Sequence, residues 1–285
     1  MYVLCSPCIL NPELRANGIT KSSDLVLFER AKERCKKFNI EMIPLPCPET
    51  LYLGSDRMPG TFLERLNTEE FINLLDLLAE EVQELIKQRG PPVCIIGVNS
   101  SPACGATTTY YGSEGENPPK KKGRGVFLKK FPEIMVMDVA TFSQYYVYLA
   151  APLFSEAERA YNICIAGDMQ KNFFDVYLPQ LAGDDSDIRN NEEQVLIFSN
   201  NLRALESADI IVAIIDGADA DSGTAWEMGY AFARGKQVIA LRTDFRRSGT
   251  YEKVNLMLEE SATVVTSTSH LLDAIKSPLR MKYDS

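Results

Sequence analysis

The sequence predicts an α/β protein built from two mainly parallel sheets flanked by helices. Three observations predict it. The chain has 285 residues, enough for about two domains at roughly 150 residues each. Apolar, β-rich runs alternate with segments of helical period, as in parallel sheets joined by crossover helices. This alternation runs twice, with a boundary near residues 141–146, so the domains are taken as 1–143 and 144–285.

In the first half, the runs 2–7, 40–46, 92–98 and 134–140 are strands, and 24–38 and 68–90 carry apolar residues at helical spacing. Gly90, Pro91 and Pro92 stop the second helix. In the second half, strands are expected at 146–152, 208–216, 236–242 and 262–267, and helices at 155–173, 192–207, 223–235 and 269–276. Residues 112–125 are rich in Gly, Pro and Lys and are read as a flexible loop. Neither a G-x-G-x-x-G nor a P-loop pattern occurs, so dinucleotide and ATP sites have no sequence support.

Composition narrows the function. Apolar residues make up 45% and charged residues 24%, an ordinary globular mixture. A net charge of −9 argues against nucleic acid as a partner. No apolar run reaches the 18 or so residues of a membrane span, and no basic region precedes the apolar start, so the reading is a cytoplasmic protein with no membrane partner. In that reducing compartment its seven cysteines are thiols or ligands rather than disulfides. His270 is the sole histidine and is expected as a surface residue at the start of the last helix, so chemistry must come from carboxylates, cysteines and hydroxyls.

Cys35, Cys94 and Cys164 fall within helical or buried-strand patterns and are read as small core residues. Cys5 and Cys8, Cys47 and Cys104 instead lie where the first, second and third strands end. In a parallel sheet those ends share the edge at which ligands bind. Three thiols converging there suit a [4Fe–4S] cluster with one open iron, a zinc ion, or a metal-free redox pair. Three stretches then sharpen the reading: Cys8-Ile-Leu-Asn-Pro-Glu-Leu-Arg15-Ala-Asn-Gly18, Cys47-Pro48-Glu49, and Ser101-Pro102-Ala103-Cys104-Gly105. Together they resemble the motifs of the 2-thiouracil desulfurase family, over about residues 1–143. The resemblance implies a [4Fe–4S] cluster on Cys8, Cys47 and Cys104, with Glu49 and Ser101 handling protons beside it. Asn11, Ala16 and Asn17 depart from the usual first motif.

The run Asp216-Gly-Ala-Asp219-Ala-Asp221-Ser-Gly-Thr-Ala-Trp-Glu227 follows an apolar strand and opens a helix. Small residues let a ligand approach the backbone, and four acids, Asp216 among them, favour a hydroxyl-rich sugar or a cation over a phosphate. A carboxylate beside a sugar can attack the anomeric carbon; the plainer alternative is that the acids cap and solvate the turn. With YLAAPLFSEAERAYN (148–162 and flanks) and NNLRALESADIIVAIID (200–216), this run resembles the nucleoside 2-deoxyribosyltransferase family across about residues 145–285. The two resemblances together imply two Rossmann-like domains. The second makes Glu227 the nucleophile, Asp221 the residue that orients it or the sugar, and Tyr148 part of the nucleoside pocket. Asn255 and Met257 would reach a neighbouring subunit's site, which requires a homo-oligomer. Asn201 stands where the family usually has an Asp that contacts the base; an amide hydrogen-bonds but supplies no acid.

The combined expectation is a two-domain enzyme acting on small-molecule thiolated nucleobases or nucleosides, with iron–sulfur-dependent desulfuration in the first domain and N-glycosidic bond cleavage or transfer through Glu227 in the second. A non-catalytic nucleotide-binding or redox-sensing module and a zinc-stabilised nucleoside glycosidase are the alternatives.

Overall fold

The computed structural model describes residues 1–112, 120–182, 191–246 and 253–276. They fall into two units, Met1–Ser143 and Gln144–Ser285.

The apolar start of the chain forms β1 (Tyr2–Cys5), buried at every position. Around it lie β2 (Glu41–Pro44), β3 (Ile95–Gly97) and β6 (Val136–Asp138), all parallel, in the order β2-β1-β3-β6. Helix α1 (Ser22–Lys37) joins β1 to β2, and α4 (Glu69–Arg89) precedes β3. Helix α4 shows why this sequence folds so. Thr68 caps it by accepting from the Phe71 N–H at 3.2 Å, acids occupy its first turn and Lys87 and Arg89 its last. Phe71, Leu75, Leu78 and Val82 recur at helical spacing and are buried against Tyr2, Leu4 and Ile95. Each such burial contributes about 2 kcal/mol. Gly90, at φ 81°, ends the helix in a conformation that Cβ-bearing residues avoid. Short helices α2 (Pro48–Leu53), α3 (Phe62–Arg65) and α5 (Val139–Phe142) fill the loops.

The 112–125 stretch departs from the loop expected. Lys120–Lys122 forms β5, paired antiparallel with β4 (Thr108–Tyr110). Lysine is a poor strand former in isolation, but here Lys120 lies over the Tyr110 ring and Lys121 over that of Tyr111, at 4.8 and 4.5 Å from the centroids. Residues 113–119 of that stretch lie outside the described residues.

The second unit repeats the plan. Strands β7 (Tyr146–Ala150), β8 (Asp175–Tyr177), β9 (Ile210–Ile214), β10 (Gln237–Leu241) and β11 (Thr263–Val265) are parallel in the order β11-β10-β9-β7-β8. Alternate residues face two cores. Val147, Leu149 and Val212 pack with α6 (Glu156–Lys171) and α10 (Thr268–Lys276); Tyr148, Ala150 and Ile211 pack with α7 (Asn191–Ser207) and α8 (Ser222–Ala233). Helix α9 (Leu256–Ser261) lies against α8. Because helices cover both faces, β9 and β10 are buried throughout and read as continuous apolar runs. In each unit the strand order reverses beside the first strand, between β1 and β3 and between β7 and β9, and the crevice at the carboxyl ends there is the usual ligand position.

Cys164 corrects an expectation: it is exposed. The buried face of α6 runs Asn162, Ile165, Ala166, Met169, and residue 164 falls off that stripe. His270 is exposed at the start of α10, as expected, its N–H donating to Ser267 Oγ. Among the described residues no helix is long and apolar enough to cross a membrane.

Candidate active site

Strand β9 ends at Ile214, and the chain crosses the sheet edge through Asp216–Asp221 into α8. Asp221 caps that helix, its Oδ2 accepting from the Thr224 N–H at 2.9 Å and the Thr224 hydroxyl at 3.2 Å. Glu227 follows one and a half turns later, and helical side chains tilt toward the N-terminus, so its carboxylate returns to the sheet edge. There it meets Tyr148 of β7, fully buried, whose hydroxyl donates to Glu227 Oε1.

Burial is the main influence on Glu227 and pushes its carboxyl up to about 7; the Tyr148 hydrogen bond opposes this and the Asp221 charge adds to it. Tyr148 is held well above the usual tyrosine range by burial first and the Glu227 charge second, so it remains a donor. The site thus holds a carboxylate that ionises near neutrality and whose orientation is fixed by one buried hydroxyl.

Tyr177 of β8 extends the group. Its ring stacks on that of Tyr148 at 5.5 Å with 17° between planes, and its hydroxyl donates to Asn201 Oδ1 at 2.9 Å. A cavity of about 360 Å³ borders Tyr177, lined also by Tyr146, Asn200 and Arg203 but not by Glu227. Glu227, Tyr148, Asp221 and Asn201 therefore belong to one neighbourhood. Tyr177 was not expected, because β8 itself was missed; its signal was the short alternating run Asp175-Val-Tyr177.

Asp216 faces elsewhere. It accepts from the Thr243 N–H and hydroxyl, each at 2.6 Å, and from the Asp244 N–H at 2.8 Å, tying the end of β9 to the loop after β10. Buried Arg242 completes that tie by donating to the Ile215 and Gly217 carbonyls. Asn255 caps α9, accepting from the Met257 N–H at 3.0 Å, and Met257 is 76% exposed. Neither is hydrogen-bonded to the Glu227 group within this chain, among the described residues.

In the first unit, Cys8 lies in the 3-10 turn after β1, Cys47 is the residue before α2, and Cys104 follows β3. The three thiols influence one another pairwise: Cys47 and Cys8 raise Cys104, and Cys47 raises Cys8. Burial dominates both, holding Cys8 up at about 12, against which the Arg15 charge acts, and Cys104 well above its ordinary value. Thr50 donates to Cys47 Sγ at 3.1 Å. Ser101 Oγ donates to Glu49 Oε1 at 2.9 Å and accepts from the Cys104 N–H at 2.9 Å. So both expected proton-handling residues stand together beside Cys104.

Three residues outside the motifs build this site. Arg57, buried, donates to the Leu14 carbonyl at 2.7 Å and Thr50 Oγ1 at 2.9 Å and pairs with Glu49 Oε2 at 3.5 Å, joining the first two loops. Asn99 Oδ1 accepts from the N–H groups of Ala106, Thr107 and Thr108 and shapes the turn after Cys104. Gly125 lets the chain pass that turn: a Cβ there would lie 2.3 Å from Ala103 O and 2.8 Å from Cys104 N. An isolated Arg, Asn or Gly carries no spacing signal, so sequence reading had no means to find them.

Cys5 lies on the opposite face of β1 from Leu4, beside Cys35 and Cys94, and is a buried core thiol. Among the described residues no group of three or more His, Cys, Asp or Glu side chains is gathered as ligands of a single metal ion. Such an ion draws thiolates to about 3.8 Å of one another through bonds of ~2.3 Å, so the zinc reading has no ligand set here. A cubane cluster spreads its thiolates over separate irons, and three neighbouring thiols from three loops are the donor set it takes.

Comparison with known proteins bears on the second unit. The family model described as nucleoside 2-deoxyribosyltransferase matches residues 147–266. An uncharacterized protein of Methanocaldococcus jannaschii is 32% identical over 99 residues, 34% of this chain and 62% of its own. A Thermofilum pendens protein, whose name provisionally makes it a 2′-deoxynucleoside 5′-phosphate N-hydrolase, is 30% identical over 96 residues, 33% of this chain and 66% of its own. The chain thus spans just under two thirds of these curated relatives. The solved 2-deoxyribosyltransferase of Bacillus psychrosaccharolyticus is 25% identical, with 44% of this chain and 89% of that one covered at a TM-score of 0.40. By its matched sequence, and with Tyr148, Asp221 and Glu227 inside the matched span, the second unit of this chain is similar to the nucleoside 2-deoxyribosyltransferase family of enzymes.

Proposed function

We propose that the second unit cleaves the N-glycosidic bond of a nucleoside or deoxynucleotide through Glu227. The observation that carries this is the Glu227–Tyr148 pair: a carboxylate poised near neutrality, aimed by a buried hydroxyl, beside a turn of small residues and Asp221. Glu227 attacks C1′, the C1′–N bond breaks with its electron pair leaving on the base, and a glycosyl ester forms. Water then releases the sugar, or a second base displaces Glu227 and completes a transfer. Asp221 orients the sugar, and Asn255 and Met257 of a neighbouring copy close the site in a homo-oligomer. Incubation with deoxynucleosides, with and without an acceptor base, should yield free or exchanged base, and Glu227→Ala should abolish it. Equal trace turnover in both proteins would leave only binding.

We further infer that the first unit removes sulfur from a thiolated nucleobase. The support is the mutual proximity of Cys8, Cys47 and Cys104 together with the Ser101–Glu49 bond next to Cys104. The three cysteines would hold a [4Fe–4S] cluster, which supplies a Lewis-acidic iron able to take sulfur. Water would supply the oxygen that replaces sulfur at the base carbon, sulfur would leave as hydrosulfide, and Glu49 and Ser101 would hold and move the protons exchanged, with Arg57 fixing Glu49. Anaerobic purification and analysis for iron and sulfide tests this: a folded, colourless, iron-free protein removes the desulfurase reading.

A further inference from the structure

A neutral amide has one accepting end and one donating end, and in Asn201 the structure assigns them. Oδ1 is occupied by the Tyr177 hydroxyl at 2.9 Å, while the two Nδ2 N–H groups have no hydrogen-bond partner among the described residues. Tyr177 is itself held, because its ring stacks on Tyr148, whose hydroxyl is committed to Glu227. The donor end of Asn201 is therefore displayed two aromatic rings from the nucleophile, on a half-buried side chain.

We propose that Tyr177 is a positioning residue that makes Asn201 a fixed donor, and that the site selects keto pyrimidines of the uracil type over aminopyrimidines of the cytosine type. The inference rests on glycosidic cleavage at Glu227 and names the leaving base. When Glu227 attacks C1′, the electron pair of the C1′–N bond stays on the base. A uracil-type base departs as an anion, its charge spread onto carbonyl oxygens that accept from Nδ2–H, and takes up a proton from water afterwards. An aminopyrimidine instead offers an amino group where uracil has a carbonyl, so donor faces donor. Its departure also calls for a proton, which an amide has no means of giving.

Two measurements test this together: calorimetric binding of free uracil and cytosine, and release of base from deoxyuridine and deoxycytidine. The wild-type protein should favour uracil and deoxyuridine about tenfold or more, the size of one mismatched buried hydrogen bond. Tyr177→Phe keeps the ring stack but frees the amide to turn over, and should bring both preferences near unity. A purely structural role would lower both substrates equally and leave the ratio intact. Asn201→Asp, an acceptor in place of the donor, should move the preference toward cytosine. Absence of preference in the wild-type protein, or an unchanged ratio in Tyr177→Phe, overturns the inference. If neither nucleoside is cleaved but uracil is bound selectively and Tyr177→Phe abolishes that selectivity, cleavage at Glu227 fails and the Tyr177–Asn201 device stands.

Discussion

Replacing Tyr148 by Phe removes one hydroxyl and keeps the ring that stacks on Tyr177. Glu227 must be ionised to act as a nucleophile, and its carboxyl sits at about 7 with the Tyr148 bond as the influence holding it down. A hydrogen bond to a charged group contributes about 1.5–3 kcal/mol, and 1.36 kcal/mol corresponds to one pH unit. Loss of the hydroxyl should therefore move the ionisation upward by about one to two units. The assay is the pH dependence of kcat/KM for base release from a deoxynucleoside, which reports ionisation of the free protein. In the wild-type protein the rate should climb with pH to a plateau through a midpoint near 7. In Tyr148→Phe the midpoint should lie near 8–9, so that the rate at pH 7 drops by roughly 5- to 50-fold while the alkaline plateau is largely kept. A uniformly reduced rate with an unmoved midpoint would refute the argument, since Tyr148 would then be shaping the pocket without tuning the carboxylate.

The same raised ionisation has a stability counterpart. Glu227 favours its protonated form when folded, so its contribution is fully present below about 4.5 and is lost as pH rises through about 7. Glu227→Gln should thus raise stability by about 3 kcal/mol at pH 8 and leave it unchanged at pH 4, read from urea midpoints at both pH values. Asp216→Ala removes three accepted hydrogen bonds at the β9 and β10 ends and should cost about 1–2 kcal/mol, measured the same way. Gly125→Ala forces backbone around Ala103 and Cys104 to move, so it should cost about 1–3 kcal/mol, read from the same urea midpoints. Unaltered unfolding would show that the Cys104 turn yields more easily than its packing implies.

The fold was legible because its signals are local. Apolar, β-rich runs mark the eight strands of the two sheets that the alternation reveals, a 3.6-residue period marks the helices between them, and Gly90 and Asp221 announce helix ends through backbone chemistry that acts within a few residues. Strands β4, β5 and β8 escaped because polar residues make up or interrupt them, as Thr-Thr-Tyr, Lys-Lys-Lys and Asp-Val-Tyr, whereas the equally short β3, β6 and β11 lie inside longer β-rich runs. Their conformation comes from the strands they pair with, β5 with β4 and β8 with β7, and the rings of Tyr110 and Tyr111 lie against Lys120 and Lys121 in that pairing.

For the sites, the sequence alone determined which residues carry reactive groups and that they end up at the carboxyl edges of two parallel sheets, since a strand's direction and the loop after it are encoded together. That placement singles out Cys8, Cys47, Cys104 and the acids of the 216–227 run, while Glu49 and Ser101, and the roles given to Glu227 and Asp221, come from the family resemblances. Only the tertiary structure decided their chemical state and mutual role. It buried Glu227 against Tyr148, turned Asp216 away to Thr243, recruited Tyr177 to hold Asn201, and set Arg57 between Glu49 and Thr50. Hydrogen-bond partners and desolvation depend on what arrives through space from distant strands, and a linear pattern records neither.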